Sequence, residues 1–203
     1  MALDVKKIIA SEFMELCETK DLRKITIGDI QEKVGLSRQT FYKHFKDKDD
    51  LIQYCYDTKI VPAWHEPDGG FESDEAEWSY TYEWTLRYMK SIKRHKKFMK
   101  AACSMNGPNC LWQHMKTSDI KNENEWFKET KGLALTKEQT EILEYHCMAY
   151  YGMTVEWVLD DMPISETEFV EKIMRVSAIS FERIFGEQNK ERFYGEIFKK
   201  MKN

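Results

Sequence analysis

Apolar and polar residues alternate with a helical period at the start of the chain. Between residues 4 and 19, apolar side chains recur every three or four positions, with lysines and glutamates between them. The apolar members are Val5, Ile8, Ile9, Phe13, Leu16 and Cys17. This spacing places them along one face of an amphipathic helix. We therefore predict a first helix over residues 4–19 that buries this face in a core.

The next stretch predicts a helix-turn-helix. Thr26 is a good N-cap for a second helix, and Asp29 stands at the third helical position. Gly35 ends that helix, because glycine tolerates the left-handed backbone, and Ser37 caps a third helix two residues later. Two helices joined by a short glycine-containing turn form the helix-turn-helix motif. Asp47 then caps a fourth helix, which we expect to reach residue 63 or 64 with an irregularity near residue 62.

The rest of the pattern predicts a helical body behind an acidic linker. Residues 65–77 are acidic, hold one proline and two glycines, and lack periodicity. Helices are predicted over residues 78–94, 96–105, 111–131, 136–159 and 166–185, with a short amphipathic one over 191–201. Thr136 and Ser165 each open a helix with a capping box. We predict an all-α fold, with a helix-turn-helix head at residues 1–48 and a helical body at residues 49–203.

Composition agrees with a soluble, cytoplasmic, helical protein. Hydrophobic residues make up 42% and charged residues 33% of 203, with 9 Gly and 4 Pro. So few turn formers argue against an all-β or a disordered chain. The five cysteines form no C-x-x-C pair, which favours a reducing compartment. No run approaches the ~18 apolar residues of a membrane span, so no membrane association is expected.

Charge is distributed unevenly along the chain. The formal net charge is −4, yet residues 20–48 hold eight Lys or Arg against four Asp or Glu, a local charge of +4. The remainder therefore carries −8. A uniformly basic nucleic-acid binder is excluded, whereas a small DNA-reading end on an acidic body is favoured.

The third helix carries the chemistry that suits DNA. Phe41 and Phe45 are four residues apart, so they share the face that packs inward. The polar residues Arg38, Gln39, Tyr42, Lys43 and His44 cannot share that face. Arginine can form two hydrogen bonds with guanine, and glutamine can form two with adenine. Tyrosine, histidine and lysine can donate hydrogen bonds to phosphate oxygens. The alternative is a solvated face of an ordinary helical domain.

Residues 26–51 resemble the DNA-binding region of the TetR family of transcriptional regulators. The matching residues are Ile27, Ile30, Val34, Gly35, Leu36, Ser37, Thr40, Phe41, Tyr42, His44, Phe45, Lys46, Asp47, Lys48 and Leu51. The resemblance implies a three-helix head, a larger ligand-binding body and a homodimer on double-stranded DNA with a palindromic operator. It also implies that Arg38, Gln39 and Thr40 approach bases. Contacts with phosphate or with the groove wall are implied for Thr26, Tyr42, Lys43, His44 and Lys48.

Gln31 and Glu32 depart from the family pattern, because a small alanine is frequent in that part of the second helix. We therefore expect the packing of this helix to differ slightly.

The sequence of the body gives fewer indications of function. Its dense aromatic residues line either an adaptable effector pocket or a plain core, and the pocket candidates are Trp84, Tyr88, Trp112, Trp126, Tyr145 and Tyr150. The last two long helices are punctuated by small residues, which suits a four-helix bundle made from two copies. The alternative is an intramolecular core only.

Residues 87–100 hold seven basic residues and no acidic one. We interpret them as a solvated surface or as partners of the acidic residues 72–77. A role with DNA or an anionic effector is the alternative.

No motif predicts catalysis. The five histidines lack metal-ligand spacing, and there is no P-loop, nucleophile elbow or dinucleotide fingerprint. We therefore predict no metal, no cofactor and no enzyme. The leading hypothesis is a ligand-responsive repressor. A regulator that acts through a protein partner without a small-molecule effector, and a helical enzyme that keeps the head as scaffold, are the other hypotheses.

Overall fold

Three short helices form the head around a small apolar core. The structure, a computed structural model, describes residues 4–63, 70–132 and 134–185, and this part contains helices and no strand. Helix α1 spans Val5–Thr19, α2 spans Ile27–Val34 and α3 spans Arg38–His44. A 3₁₀ turn at Leu22–Lys24, which the pattern did not indicate, separates α1 from α2. The all-α fold is confirmed.

The predicted caps of the head helices are present. The hydroxyl of Thr26 accepts a hydrogen bond from the backbone of Asp29, and the Asp29 carboxylate accepts one from the backbone of Thr26 in return. Ser37 caps α3 through the backbone N–H of Thr40. Gly35 ends α2 at φ 72°, in the left-handed region where a side chain is strained.

Helix α4 spans Lys48–Cys55 and leads from the head into the body. It continues as a π-helical turn over Tyr56–Ile60, and Val61 is already extended. The prediction of a helix to residue 63 or 64 is therefore wrong for residues 61–63, while residue 64 lies outside the described part. Pro62 explains the stop, because proline drives the residue before it out of the helical region.

The body contains five further helices in the described part. They are α5 Asp74–Arg94, α6 Lys96–Cys103, α7 Leu111–Lys131, α8 Lys137–Leu159 and α9 Glu166–Phe185. Helix α8 packs against α6, α7 and α9, α5 packs against α9, and α6 reaches back to α1. The capping boxes at Thr136 and Ser165 are confirmed. The predicted tail helix at residues 191–201 lies outside the described residues.

Two predicted boundaries in the body are wrong. Helix α5 begins at residue 74 rather than 78, because Ser73 caps it by accepting from the backbone N–H of Ala76. The acidic residues assigned to the linker therefore supply its first turn, where the helix dipole favours negative charge. Helix α6 ends at Cys103, two residues earlier than predicted.

Four lysines among the basic residues 87–100 contact other helices or the α8–α9 turn at the surface, and within the described chain none of these four pairs with residues 72–77. Lys93 pairs with Glu166 at 2.6 Å, and Lys96 and Lys100 pair with Asp161 at 2.9 and 2.8 Å. Lys97 donates to a backbone carbonyl at the end of α1 at 2.6 Å. The lysines of this stretch thus tie α5 and α6 to the α8–α9 turn and to the head.

Candidate nucleic-acid interface

Helix α3 buries one face and exposes the other. Phe41 and Phe45 are each 1% exposed and lie with their ring centroids 5.8 Å apart in the core of the head. Arg38, Gln39, Tyr42 and Lys43 are exposed, whereas Thr40 and His44 are half-buried at the margin. The spacing of the two phenylalanines thus turns a polar strip outward, as the sequence indicates.

Local contacts order two residues of this strip. The guanidinium of Arg38 lies 5.7 Å from the ring centroid of Tyr42, one helical turn away. The edge of the Tyr42 ring meets Phe41 at a centroid distance of 5.4 Å. Stacking on a ring that is itself packed against the core restricts the guanidinium, so less rotamer entropy is lost when it binds a base or phosphate.

The two threonine hydroxyls predicted at the interface are engaged within the head. The hydroxyl of Thr40 lies 2.9 Å from that of Ser37, and the hydroxyl of Thr26 lies 2.8 Å from the Asp29 carboxylate. Lys20 pairs with the same carboxylate at 2.8 Å, and these contacts hold the pKa of Asp29 well below its usual range. Both hydroxyls lie in the first turns of their helices and are already hydrogen-bonded there, and their contact with phosphate stays a prediction.

Among the residues that the structure describes, the basic residues of the head fall into those that are paired with acidic side chains and those that are not, and three of the unpaired ones lie on or just after α3. Lys20, Arg23 and Lys33 form ion pairs with acidic side chains of the head. Within the described part of the chain, no ion pair forms at Lys24, Arg38, Lys43 or Lys46. The residues without an ion pair offer their full charge to an incoming polyanion, whereas the charge of the paired residues is already compensated.

Lys48 has a structural function that the sequence did not indicate. Its ammonium group donates to the carbonyl oxygens of Leu22, Arg23 and Ile25 at 3.2, 3.4 and 3.0 Å. A lysine ammonium has three donors, so these carbonyls engage all of them. The side chain ties the start of α4 to the 3₁₀ turn, and its contact with phosphate stays a prediction.

The structure separates the six predicted effector residues into different surroundings. Tyr88 is buried with its hydroxyl 2.5 Å from that of Tyr56, and the Trp84 ring stacks on it at 5.7 Å. The indole N–H of Trp84 donates to the carbonyl of Pro62 at 3.0 Å. Tyr145 is 70% exposed, so it lies on the outer face of α8 rather than inside the body of this single chain.

The other three candidates lie on or against α7 and α8. Trp112 and Trp126 are half-buried on α7, and the tip of the Trp112 ring lies 3.8 Å from where a side chain at Gly152 would begin. Tyr150 stacks on His146 at 6.3 Å and meets Tyr151 edge-on at 4.9 Å. Their contribution to an effector site stays a prediction.

The sequence pattern did not predict a group of half-buried polar side chains on α7 that lies against α8. Burial raises the pKa of the Asp119 carboxyl above its usual range and that of Glu123 to about 7, and Asp119 adds to the shift of Glu123. Cys147 donates to Asp119 at 3.4 Å. A signal was available, since the two acids stand four apart on the side of α7 that also carries Met115 and Ile120.

A cleft of about 480 Å³ lies where the head meets the body. It is formed by the end of α1, the 3₁₀ turn, α6 and the end of α8, and the predicted effector residues do not line it. Its lining consists of residues 17–23, Lys97, Lys100, Ala101, Ser104 and Leu159. The sequence pattern gave no indication of this cleft.

A metal-binding cluster and a membrane-spanning helix are both absent from the described part of the chain. No three His, Cys, Asp or Glu side chains there are grouped so that they can hold a metal ion. Within the same residues, no helix is both long and apolar enough to cross a bilayer.

Sequence comparison matches two families. Residues 12–55 match the family described as bacterial regulatory proteins, tetR family, and residues 80–178 match a family described as transcriptional regulator C-terminal region. The HTH-type dhaKLM operon transcriptional activator DhaS of Lactococcus lactis subsp. lactis (strain IL1403) is 26% identical over 84 residues, which are 41% of this chain and 42% of that protein. The matched segment thus spans less than half of this relative.

Structure comparison supports the same fold. A TetR transcriptional regulator from Rhodococcus sp. RHA1 superposes with a TM-score of 0.56 at 15% identity, covering 86% of this chain and 93% of that one. A TetR-family regulator from Streptomyces coelicolor gives 0.57 at 13% identity, covering 99% and 97%. The dihydroxyacetone kinase operon activator DhaS gives 0.56 at 17%, covering 89% and 96%. At these identities the likeness shows the fold alone.

Proposed function

We propose that this chain, which belongs to the TetR family of bacterial transcriptional regulators, binds a palindromic operator as a homodimer and responds to a small-molecule effector. The observation that carries the DNA-binding part is the outward face of α3, which is polar and basic over two buried phenylalanines. A major groove about 12 Å wide admits one helix with such a face.

Base contacts are assigned to the first turn of α3. Arg38 and Gln39 are exposed there, and Thr40 follows at the margin. An arginine fork matches the acceptors of guanine, and a glutamine amide matches the donor and acceptor of adenine. Arg38 is ordered by Tyr42, so it is the best placed of the three to make a bidentate contact.

Phosphate contacts are assigned to the flanks. Lys43, Tyr42 and His44 follow on α3, and Thr26 stands at the N-terminus of α2. Lys46, exposed and without an ion pair among the described residues, adds charge beside them. Lys48 reaches phosphate only by giving up a carbonyl that it now holds, which makes it the weakest member of the set.

Dimerisation is assigned to the outer face of the α8–α9 layer. Tyr145 and Met148 are 70% and 53% exposed, and their spacing of three residues places them on one side of α8. Val176 of α9 is 44% exposed. Large apolar side chains exposed along one helix are typical of a surface that a second copy covers.

We propose repression as the output, as the family resemblance alone favours. In this scheme the effector stabilises a spacing of the two heads that no longer fits half-sites ~34–36 Å apart. The second candidate is an activator that acts through a protein partner, and it is favoured by the name of the relative DhaS, a transcriptional activator. In either case, the free energy that couples binding in the body to DNA binding is of the order of 1–3 kcal/mol.

Selection of bound duplexes from a random pool, repeated over a range of salt concentrations, tests the proposal. We expect an enriched inverted repeat whose half-sites are about one helical turn apart (~34–36 Å) and an affinity that falls steeply with salt. Enrichment of no sequence, or of a single site without symmetry, contradicts the operator and dimer assignments. Transcription from a reporter carrying the selected repeat then separates repression from activation.

A further inference from the structure

Tyr42 has the contacts of a residue that orders another side chain. It lies one helical turn after Arg38 on the exposed face of α3, and the Arg38 guanidinium lies 5.7 Å from the centroid of its ring. This distance is within the range of a cation–π contact. In the ranges 4–63, 70–132 and 134–185, no carboxylate pairs with Arg38. The Tyr42 ring is therefore the contact that limits the rotamers of Arg38.

The Tyr42 ring is itself held in place. Its edge meets the ring of Phe41 at 88°, with 5.4 Å between the two centroids, and Phe41 is 1% exposed in the head core. Tyr42 is 44% exposed, so its ring is anchored on one side and open on the other. The ring thus connects the packed core of the head to the end of a long side chain that would otherwise sample many rotamers.

A ring contact leaves the hydrogen-bond donors of Arg38 available. The N–H donors of a guanidinium lie in its plane, whereas an aromatic ring stacks on its face. Arg38 can therefore stay on Tyr42 and still form two hydrogen bonds with guanine. A side chain that is ordered before binding loses less entropy on binding, which strengthens the contact with the matching base.

Gln39 provides an internal comparison. It is the next residue of α3 and is exposed, and no hydrogen bond or ring contact of its side chain is found in the described part of the chain. A base contact of Gln39 should therefore be independent of Tyr42.

We propose that Tyr42 is a positioning residue for Arg38, and that its ring determines the preference for the one base pair that Arg38 reads. A contact between the Tyr42 hydroxyl and phosphate is a separate function of the same residue and carries no sequence preference. The inference rests on the proposed function, since it concerns the base contact of Arg38 on the operator. It goes beyond that function because it assigns specificity to a residue that touches no base.

Substitutions at Tyr42 separate the ring from the hydroxyl. Affinities of the full chain for the selected operator, and for every single base-pair change in one half-site, are measured for the parent, Tyr42→Phe, Tyr42→Leu and Arg38→Ala. The base pair at which Arg38→Ala loses discrimination is the one that Arg38 reads. Tyr42→Leu should lower the discrimination at that base pair by about two- to fivefold, the factor that an exposed cation–π contact supplies. Tyr42→Phe, which keeps the ring, should retain it.

Three further expectations make the test specific. Tyr42→Leu should keep the discrimination at the base pair that Gln39 reads. Lys43→Ala is the matched control, because Lys43 is the next exposed residue of α3 and forms no ion pair or ring contact among the described residues. It should leave the preference at the Arg38 base pair unchanged. Tyr42→Leu added to Arg38→Ala should cause no further loss there, because the ring acts through the arginine.

Three outcomes overturn the proposal. They are full discrimination at the Arg38 base pair in Tyr42→Leu, an equal loss in Tyr42→Phe, and a loss of discrimination at every base pair of the half-site.

Side-chain NMR of the DNA-free chain tests the ordering of Arg38 without any substitution, so it decides the matter even where Tyr42→Leu does not fold. Relaxation of the Nε–H groups gives an order parameter for each arginine. Arg38 should be more ordered than Arg94, which is exposed at the end of α5 and forms no ion pair or ring contact in the described part. Equal order in the two arginines overturns the proposal.

The failure of this inference and the failure of the proposed function are distinguishable. An operator that Tyr42→Leu reads like the parent refutes this inference alone. Selection of no operator refutes the proposed function, whereas the order of Arg38 is measured without DNA.

Discussion

Phe41 is the residue on which the orientation of α3 depends. Its ring is 1% exposed and packs between Tyr42, Phe45 and the rest of the head core. We expect Phe41→Ala to lower the free energy of unfolding by ~3–5 kcal/mol, because removing a buried phenylalanine ring leaves a cavity in the core. Urea unfolding of the full chain measures the change. A head of parental stability that still binds the operator would contradict the inward assignment.

Substitutions at Lys43 and Lys48 are expected to have different effects. Lys43 is exposed, so Lys43→Ala should weaken all DNA sequences alike, with a salt slope smaller by ~0.9 for each phosphate that the lysine neutralises. Lys48→Met removes the donor from three carbonyls and should lower stability by ~1–3 kcal/mol. Binding isotherms over a salt series and urea unfolding of both variants check this. The same loss of stability in both would contradict the distinction.

Glu123 gives the body a specific pH dependence. Its pKa is about 7 in the folded chain against an ordinary 4.5, so the folded state holds the proton more tightly than the unfolded state. Stability must then fall as pH rises from 4.5 to 7, by at most about 3 kcal/mol at ~1.4 kcal/mol for each pH unit.

Glu123→Gln isolates this effect, because glutamine cannot ionise. We expect the variant to gain stability relative to the parent as pH rises through this range, and to match it below pH 4.5. Unfolding free energies at several pH values measure the difference, with Glu125→Gln as the exposed control. A difference that stays constant with pH would show that the carboxyl is solvated like any surface acid.

At the scale of elements, helix ends were predictable where a side chain defines them. Thr26, Ser37, Thr136 and Ser165 each cap the helix that the sequence indicates. The start of α5 was missed although Ser73 is a good cap, because the acidic, glycine-containing segment before it masked the periodicity. Local chemistry therefore predicted the element wherever an apolar stripe followed the cap directly.

Features that depend on distant partners were not predictable. The π-helical turn at Tyr56–Ile60 coincides with contacts from Tyr56 to Tyr88 of α5 and from Asp57 to His114 of α7. The function of Lys48 likewise depends on carbonyls more than twenty positions earlier in the chain. The exposed polar strip of α3 was predictable because one helix and its own spacing determine it, whereas the surroundings of the polar groups in the body depend on several helices.

The exposed stripe on α8 predicts a specific interface. Met148→Glu places a charge beside Tyr145, which lies one helical turn away on α8 and is 70% exposed in the single chain. We expect the variant to shift from dimer to monomer in light scattering after size exclusion, because an unpaired charge disfavours burial. Lys128→Glu on the exposed side of α7 is the control. A dimer that survives Met148→Glu would place the interface elsewhere.

In the proposed function, the molecule separates a head that reads DNA from a body that responds to a ligand. Arg38, Lys43 and Lys46, on or just after α3, form no ion pair among the described residues. Lys93, Lys96 and Lys100 of α5 and α6, by contrast, pair with acidic side chains of the body. Helix α4 and its π-helical turn connect the two parts, and Lys97 links α6 to the end of α1. A ligand in the body can therefore shift the head only if it alters these few joints, since coupling requires different contacts in the two states.

The proposal that the outward face of α3 reads base edges is tested by the base preference of a Gln39 variant. Binding of the parent and Gln39→Ala is measured on the selected operator and on every single base-pair change within one half-site. We expect the variant to lose ~1–3 kcal/mol of discrimination at one position of the half-site and to keep it elsewhere, while Lys43→Ala weakens all sites alike. An unchanged pattern of base preference in Gln39→Ala would contradict the claim.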